Sequence, residues 1–240
     1  MDHRLRILHI SDLHSREDGQ EWRRRRVLGD AWKANLDAFL EEGAVAVIAF
    51  TGDLAFSGRP GEYEGVTGFI FATLEWLKLG RERLFVVPGN HDVDRSVARH
   101  AWSELRQFSP SDTYILSTWM ASDGQWAPKH CAPSLREEVL TRQQAYRTWV
   151  RETLGRPELL PSPALHPRLG YRQTLRLPGH PFDLHVIGFD SAWLSGDEHD
   201  TGRLWLTEEQ LVRLSSGAGG EPLEGFRLAL IHHPLGDLRE

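Results

Sequence analysis

Short apolar runs, most of them ending in a polar cluster, constrain most strongly what this chain can fold into. The runs cover residues 6–10, 45–50, 84–87, 184–189 and 228–231. Runs of this length and composition are typical of buried strands. Apolar residues at helical spacing lie between several of them, over 20–42, 62–79 and 135–154, and 207–210 has the pattern of a capping box that opens a further helix. The alternation of strands and helices predicts an α/β domain.

Length and composition are sufficient for one domain with a sizeable core. The chain has 240 residues, of which 40% are hydrophobic and 26% are charged, within the range of single globular domains. From residue 96 to about 171 the alternation stops, and prolines interrupt helical stretches that contain several tryptophans. We therefore predict one domain over 1–240 with a helical insertion at about 96–171. Its tryptophans could stack a nucleobase, although burial beneath a lid is the simpler interpretation.

Charge and cysteine content argue against several classes of partner. The formal net charge is −6, which gives no overall attraction for nucleic acid. No apolar stretch approaches the length of a membrane span. The single cysteine, Cys131, excludes an internal disulfide framework and a multi-thiolate zinc site, and we predict a reducing, cytoplasmic setting. Four arginines at 23–26 could attract phosphate, but a solvated helix face is the better interpretation in an acidic chain.

Residue types that bind metals follow four of the predicted strands. The clusters are Ser11-Asp12-Leu13-His14, Thr51-Gly52-Asp53, Pro88-Gly89-Asn90-His91-Asp92 and His232-His233-Pro234. Ligands of α/β sheets bind beyond the carboxyl ends of the strands, so we expect the clusters to converge. Carboxylate, amide and imidazole groups suit manganese, iron or zinc, and anionic groups held close together need cations between them. These residues are also common in turns and caps, but four coincident clusters favour a metal site, and Gly52 and Gly89 would permit close backbone approach.

The four clusters, taken in order, resemble the signature blocks of calcineurin-like metallophosphoesterases. The matching residues are Asp12-x-His14, Gly52-Asp53, Gly89-Asn90-His91-Asp92 and His232. Phe189-Asp190-Ser191 and Gly202-Arg203-Leu204 further resemble the cyclic-nucleotide-phosphodiesterase-like bacterial branch of that family. The resemblance implies a metallophosphoesterase-type β-sandwich flanked by helices. It also implies hydrolysis of a phosphate mono- or diester by a hydroxide that bridges two metal ions.

The resemblance further implies which residues hold those two divalent ions. Asp12 and His14 would bind one ion, and Asp53 would bridge it to the second. Asn90 and His232 would complete the protein ligands of the second ion. The ions would be manganese, iron or both, with zinc as a further option.

The remaining roles that the resemblance implies concern the substrate. Asn90 and His91 would bind it, and His91 would protonate the leaving oxygen. Asp92 would orient or electrostatically support the His91 imidazole. His232 is preferred to His233 as the ligand because the family uses the first histidine of the pair and strand alternation turns the second one away.

The last block of the family, Gly-His-x-His, has no counterpart in this sequence. That block supplies one histidine to each metal ion, so we expect the chain to be truncated at its C-terminus and fused to further sequence in the full-length protein. The implied substrate is a small phosphate ester, with cyclic nucleotides first, and neither a membrane nor nucleic acid is expected as a partner. Two alternatives stay open: a nuclease of the same superfamily, and a catalytically degenerate module that binds or regulates within a larger protein.

Overall fold

The computed structural model describes residues 4–17, 29–108, 112–124, 126–129, 131–196 and 198–239. Its strands are β1 (Ile7–Ile10), β2 (Val47–Thr51), β3 (Leu84–Val87), β4 (Tyr171–Arg176), β5 (Asp183–Gly188) and β6 (Phe226–Leu230). Its α-helices are α1 (Asp30–Glu41), α2 (Tyr63–Trp76), α3 (Arg99–Arg106), α4 (Thr113–Ala121), α5 (Leu135–Leu140), α6 (Gln144–Thr148) and α7 (Glu208–Ser215). Within the described ranges, no helix is both long enough and apolar enough to cross a bilayer.

Two small sheets form the centre of the fold. β1, β2 and β3 are parallel, and Ile48 of β2 lies opposite Leu8 of β1 and Leu84 of β3. In the second sheet β5 lies in the middle, with β4 antiparallel to it on one side and β6 parallel to it on the other. The two sheets, flanked by helices, confirm the predicted α/β fold of the metallophosphoesterase type.

One hydrophobic core joins the two sheets. Every residue of β2 and β3 is buried, which explains their continuous apolar sequences. Phe50 and Phe85 of the first sheet share this core with Val186 of the second sheet, and Trp149 and residues of α2 pack against them. β3 also contacts β5 directly. The core therefore fixes the strand ends that carry the polar clusters.

The chain between β3 and β4 is largely helical and contains a second hydrophobic cluster. Trp119 of α4 is fully buried in this cluster, together with Trp193 from the loop after β5. Trp149 is also buried, whereas Trp126 is 54% exposed. Burial is therefore the role of Trp119 and Trp149, as the simpler interpretation of the sequence predicted. The limits of the insertion at 96 and 171 stay a prediction.

Two predicted helices differ in detail from the structure, and one strand was not predicted. The helix expected over 135–154 is divided into α5, a 3₁₀ turn at Thr141–Gln143, α6 and a π-helical turn at Trp149–Thr153. The Asp94 main-chain N–H donates to the Arg142 carbonyl, which takes that carbonyl out of the helical ladder. β4 was not predicted because its sequence is mostly polar and its residues are only partly buried. The helix expected from residue 20 is described from Asp30 onward, and the arginines at 23–26 lie outside the described residues.

The helix start predicted at 207–210 is confirmed. The Thr207 hydroxyl accepts a hydrogen bond of 3.3 Å from the main-chain N–H of Gln210, which satisfies one of the free donors at the start of α7. The Gln210 side chain does not return to this cap. It accepts from the main-chain N–H of Asp190 at 2.6 Å and donates to the Asp190 carbonyl at 3.3 Å. α7 is thereby attached to the end of β5.

Candidate metal centre

The loops that follow β1 and β2 run side by side and bring two of the polar clusters together. The main-chain N–H of Asp12 donates to the Gly52 carbonyl at 3.1 Å, and that of His14 donates to the Asp53 carbonyl at 2.9 Å. The N–H of Ser15 donates to the Leu54 carbonyl at 2.9 Å. These bonds continue the parallel pairing of β1 and β2 beyond the sheet. They place the side chains of Asp12 and His14 next to that of Asp53.

The backbone is strained at the three residues in these two loops that were predicted to bind metal. Asp12, His14 and Asp53 have φ angles of 60°, 48° and 54°, a left-handed conformation that is unfavourable for residues other than glycine. Such strain persists only where surrounding contacts determine the geometry, and it is concentrated at functional sites. The folded backbone is therefore strained at the positions where carboxylate and imidazole groups converge.

Two glycines permit the close approach of the loops, as the sequence predicted. Gly52 has a φ of 87°, and a Cβ atom there would lie 2.6 Å from Nδ1 of His232 and 2.7 Å from the main-chain nitrogen of Gly89. A Cβ atom on Gly89 would lie 2.2 Å from Oδ1 of Asp53. No side chain fits at either position without displacing a residue of the centre.

Two groups of potential ligands share the Asp53 carboxylate. One group consists of Asp12, Asp53 and His232, and the other of His14, Asp53 and His91. Within each group the ligand atoms all lie within 4.8 Å of one another. Asp53 is 3% exposed, whereas half of the Asp12 side chain is exposed. The centre therefore lies at the surface but is built around a buried carboxylate.

The orientation of His232 shows why this centre fits a cation. Its Nδ1 lies 2.7 Å from the Thr51 carbonyl, which can only accept, so Nδ1 carries the proton and the lone pair of the neutral ring is on Nε2. Nε2 lies 3.1 Å from Oδ1 of Asn90 and 3.4 Å from Oδ1 of Asp53. Three acceptor atoms thus face one another. A bound cation satisfies all three at once, which is the chemistry expected of a metal ligand set.

The distances around His14 agree with coordination better than with hydrogen bonding. Its Nε2 lies 3.6 Å from Oδ1 of Asp12 and 3.8 Å from Oδ2 of Asp53, too far for a hydrogen bond. Two ligand atoms that each lie about 2.1 Å from one ion are separated by roughly 3–4 Å. The three side chains therefore have the spacing of neighbours around one metal ion.

His91 is held at the edge of the same centre. Its main-chain N–H donates to Oδ1 of Asp53 at 2.9 Å, and its Nδ1 lies 2.5 Å from the carbonyl of Phe56. Because that carbonyl is an acceptor, Nδ1 carries the proton, and Nε2 is left for either a ligand or a second proton. The His91 ring lies 4.6 Å from that of His14, edge to face.

The contacts of Asp92 support a different role from the one predicted for it. Its carboxylate is fully buried and accepts main-chain hydrogen bonds from Leu54, Ala55 and Gly89, at 3.2, 2.9 and 2.9 Å. The Tyr63 hydroxyl donates to it at 3.0 Å. The hydrogen-bond partner of the His91 ring is instead the carbonyl of Phe56. Asp92 thus joins the loops after β2 and β3 rather than supporting the imidazole, because the 3₁₀ turn at Asn90–Asp92 directs its side chain back toward Gly89.

Burial determines the ionisation of Asp92 and of His233. Burial raises the pKa of Asp92 to about 6, against the lowering effect of the hydrogen bonds from Ala55 and Gly89. Burial and the neighbouring His232 lower the pKa of His233 to about 3. The neutral His233 ring has its Nδ1 2.8 Å from the Ser191 hydroxyl. It therefore anchors the turn after β6 and leaves His232 to face Asp53.

Several residues that shape the centre were not found from the sequence. The carbonyls of Thr51 and Phe56 orient the rings of His232 and His91, but main-chain groups leave no signal in residue identity. Tyr63 contacts Asp92 from the first turn of α2, and nothing in its spacing distinguishes it from an ordinary core tyrosine. Ser191 was noted only within the resemblance to the phosphodiesterase branch, where no role was attached to it.

An α/β fold of two sheets with carboxylates, an amide and imidazoles converging at strand ends is the arrangement of a metal-dependent phosphoesterase. The family model described as calcineurin-like phosphoesterase matches residues 5–208. The chain therefore belongs to the calcineurin-like phosphoesterase family. Asp12, His14, Asp53 and Asn90 lie within the matched residues, and His232 lies beyond them. A comparison with curated proteins gave no match.

Proposed function

We propose that this protein hydrolyses small phosphate mono- or diesters with the help of two divalent metal ions, and that cyclic nucleotides are the first substrates to test. The observation that carries the proposal is the sharing of Asp53 between two ligand groups. A carboxylate that serves two ions held close together is what a two-metal phosphoesterase requires. Manganese and iron are the preferred ions for a mixed set of carboxylate, amide and imidazole ligands, and zinc is also compatible.

The proposed ligand roles are those that the family resemblance implies, and the distances between the side chains support them. Asp12 and His14, whose ligand atoms lie 3.6 Å apart, would hold one ion, Asn90 and His232, whose ligand atoms lie 3.1 Å apart, would hold the other, and Asp53 would contribute to both. Asp12 also has a ligand atom within 4.8 Å of one on His232, as His14 has with His91. When bound, divalent ions activate water and neutralise the charge on the phosphoryl group. Because both imidazoles have Nε2 directed to the centre, neither ring has to turn in order to bind.

The substrate roles belong to Asn90 and His91 at the edge of the centre. His91 protonates the leaving oxygen from Nε2, while its Nδ1–H remains on the Phe56 carbonyl. General acid catalysis of this kind contributes roughly 100- to 10,000-fold to the rate.

Metal-dependent hydrolysis is the direct test of the function. The protein would be stripped with EDTA, loaded with Mn²⁺, and assayed on p-nitrophenyl phosphate, bis-p-nitrophenyl phosphate and cyclic AMP. We expect Mn²⁺-dependent turnover of at least one ester, and Asp53→Asn to lose both turnover and bound metal measured by elemental analysis. Asp183→Asn, at a half-exposed carboxylate on β5, is the matched control. Absence of metal-dependent turnover on every ester would contradict the proposal.

A leaving-group series tests the role of His91. His91→Gln should slow hydrolysis of an alkyl phosphate by about 100-fold or more, since a poor leaving group needs the proton. It should slow hydrolysis of p-nitrophenyl phosphate much less, because that leaving group departs without protonation. Metal content measured in the same samples separates an acid from a ligand. Equal losses on both esters, accompanied by loss of metal, would assign His91 to the ligands instead.

A further inference from the structure

An arginine lies beside the metal centre and forms no ion pair with a carboxylate in the part of the chain that the structure describes. The guanidinium carbon of Arg16 is 3.4 Å from the centre of the Phe56 ring. The Phe56 ring in turn lies 5.3 Å from the His91 ring and 6.3 Å from the His14 ring. The guanidinium therefore packs on an aromatic ring that also borders His91 and His14.

The position of Arg16 is determined by the same pairing that builds the centre. Ser15 is fully buried, donates its N–H to the Leu54 carbonyl and forms a parallel bridge with Ala55. Arg16 follows at once and is held against Phe56, whose carbonyl orients His91. A loop residue fixed in this way loses little further freedom when it binds a ligand, which favours a defined contact.

Stacking leaves the hydrogen-bonding edge of Arg16 available. A guanidinium that packs face-on against an aromatic ring retains its in-plane N–H groups, the fork that matches carboxylate or phosphate. Among the described residues, no carboxylate forms an ion pair with Arg16. The adjacent Glu17 carboxylate lies against Gly61, where a Cβ atom would come within 2.5 Å of it. Arg16 is exposed, so a ligand can reach it.

We infer that Arg16 binds a second anionic group of the substrate, and that the enzyme prefers phosphate esters that carry a further carboxylate or phosphate several bonds from the reacting phosphorus. This inference rests on the proposed function. The spacer is part of the inference: Arg16 contacts the Phe56 ring, whereas Asp12, His14 and Asp53 face one another at the place of the reacting phosphate. A phosphate ester with a neutral tail gains nothing from Arg16. Arg16 is therefore a specificity residue and takes no part in the reaction.

Non-hydrolysable ligands provide the test independently of turnover. Binding of 6-phosphonohexanoate and of its neutral terminal amide to the Mn²⁺-loaded protein would be measured by isothermal titration calorimetry. We expect the carboxylate to bind about two- to fivefold more tightly to the wild type, the range of an exposed ion pair. In Arg16→Met, which keeps the apolar stem, the two ligands should bind equally. Arg176→Met, an exposed arginine on β4, should keep the wild-type ratio.

A second variant and the matching esters complete the experiment. Phe56→Leu keeps the main-chain carbonyl on His91 but removes the ring beneath Arg16, and it should reduce the carboxylate preference in the same direction. The corresponding hexanoate and hexanamide phosphate esters should show the preference mainly in KM. If both esters are hydrolysed and the preference for the carboxylate ester is the same in wild type and Arg16→Met, the inference about Arg16 is overturned while the proposed function stands. Absence of all turnover and all phosphonate binding overturns the proposed function with it.

Discussion

The buried carboxylate of Asp92 allows a quantitative test of how the loops of the centre are held. Its Oδ1 accepts from Ala55 and from the Tyr63 hydroxyl, and its Oδ2 accepts from Leu54 and Gly89. Asp92→Asn replaces one oxygen with an amide NH₂ group. The amide can turn so that NH₂ faces Tyr63, whose hydroxyl can accept, but the N–H of Ala55 then faces a donor. A buried donor without an acceptor costs about 1–3 kcal/mol, so Asp92→Asn should lower the free energy of unfolding by that amount.

Two further variants give an ordered series. Tyr63→Phe removes one donor and leaves the three main-chain bonds of Asp92 intact, so it should cost only about 1 kcal/mol. Asp92→Ala leaves three buried N–H groups and the Tyr63 hydroxyl without their acceptor, which should cost roughly 3–6 kcal/mol. The expected order of destabilisation is Asp92→Ala, then Asp92→Asn, then Tyr63→Phe.

Urea denaturation in EDTA measures this series without the contribution of metal binding. The measurements belong at pH 4.5, below the raised pKa of Asp92 of about 6, because the side chain is then neutral in the folded wild type as well as in Asp92→Asn, and relief of a buried charge does not offset the lost hydrogen bond. Asp183→Asn, at a half-exposed side chain, controls for the loss of one carboxylate. Surface substitutions usually change the free energy of unfolding by no more than about 0.5 kcal/mol. If Asp92→Asn differs from the wild type by less than that, Asp92 does not hold the loops as assigned. The same conclusion would follow from an Asp92→Ala protein more stable than Tyr63→Phe.

The remaining predictions concern acid stability, backbone conformation and metal binding. Burial lowers the pKa of His166 to about 4, so its contribution to stability is present above about pH 6.5 and lost as the pH falls toward 4, by about 3 kcal/mol in total. His166→Asn, whose amide oxygen can still accept from the Leu169 N–H, should remove that part of the loss of stability at low pH. Urea titrations at pH 7.5, 5 and 4 measure it, and an unchanged dependence of the unfolding free energy on pH would contradict the assignment to His166. Gly52→Ala should cost about 3 kcal/mol, because strain adds to the collision with His232, whereas Gly179→Ala, with a φ of 81° and free space around it, should cost only about 1 kcal/mol. Equal costs would argue against close packing at Gly52. Mn²⁺ at 100 times its dissociation constant should add about 2.7 kcal/mol to the stability of the wild type and much less to that of Asp53→Asn, measured by thermal denaturation.

Residue identity was sufficient to predict which strand ends meet, but not how each side chain is turned. Asp12, His14 and Asp53 follow short apolar runs of the kind that form strands, and parallel strands present their carboxyl ends on one side. Their convergence is therefore encoded locally. The carbonyl groups that orient the rings of His232 and His91 belong to the main chain. Every residue has such a group, so residue identity cannot predict which of them will contact a histidine.

Asp92 illustrates the limit of reasoning from neighbours in sequence. Its place directly after His91 suggested a contact between the two side chains. The intervening 3₁₀ turn directs the carboxylate to the Gly89 N–H instead, and Tyr63 completes its surroundings from a helix. The strand β4 was missed for a related reason. Its polar alternation reflects a partly exposed strand, and only the pairing with β5 gives it a place in the sheet.

The geometry of the centre is set by uncharged contacts that do not require a metal ion. Main-chain bonds align Asp12 and His14 with the loop after β2, and carbonyl oxygens hold the rings of His232 and His91. What these contacts leave unsatisfied is the set of acceptors around Asp53, which repel one another. The backbone strain at Asp12, His14 and Asp53 and the burial of Asp53 add to the cost of that set. A divalent cation bound there would relieve the repulsion, and because main-chain contacts already hold the ligand side chains, binding would require little further ordering of the chain.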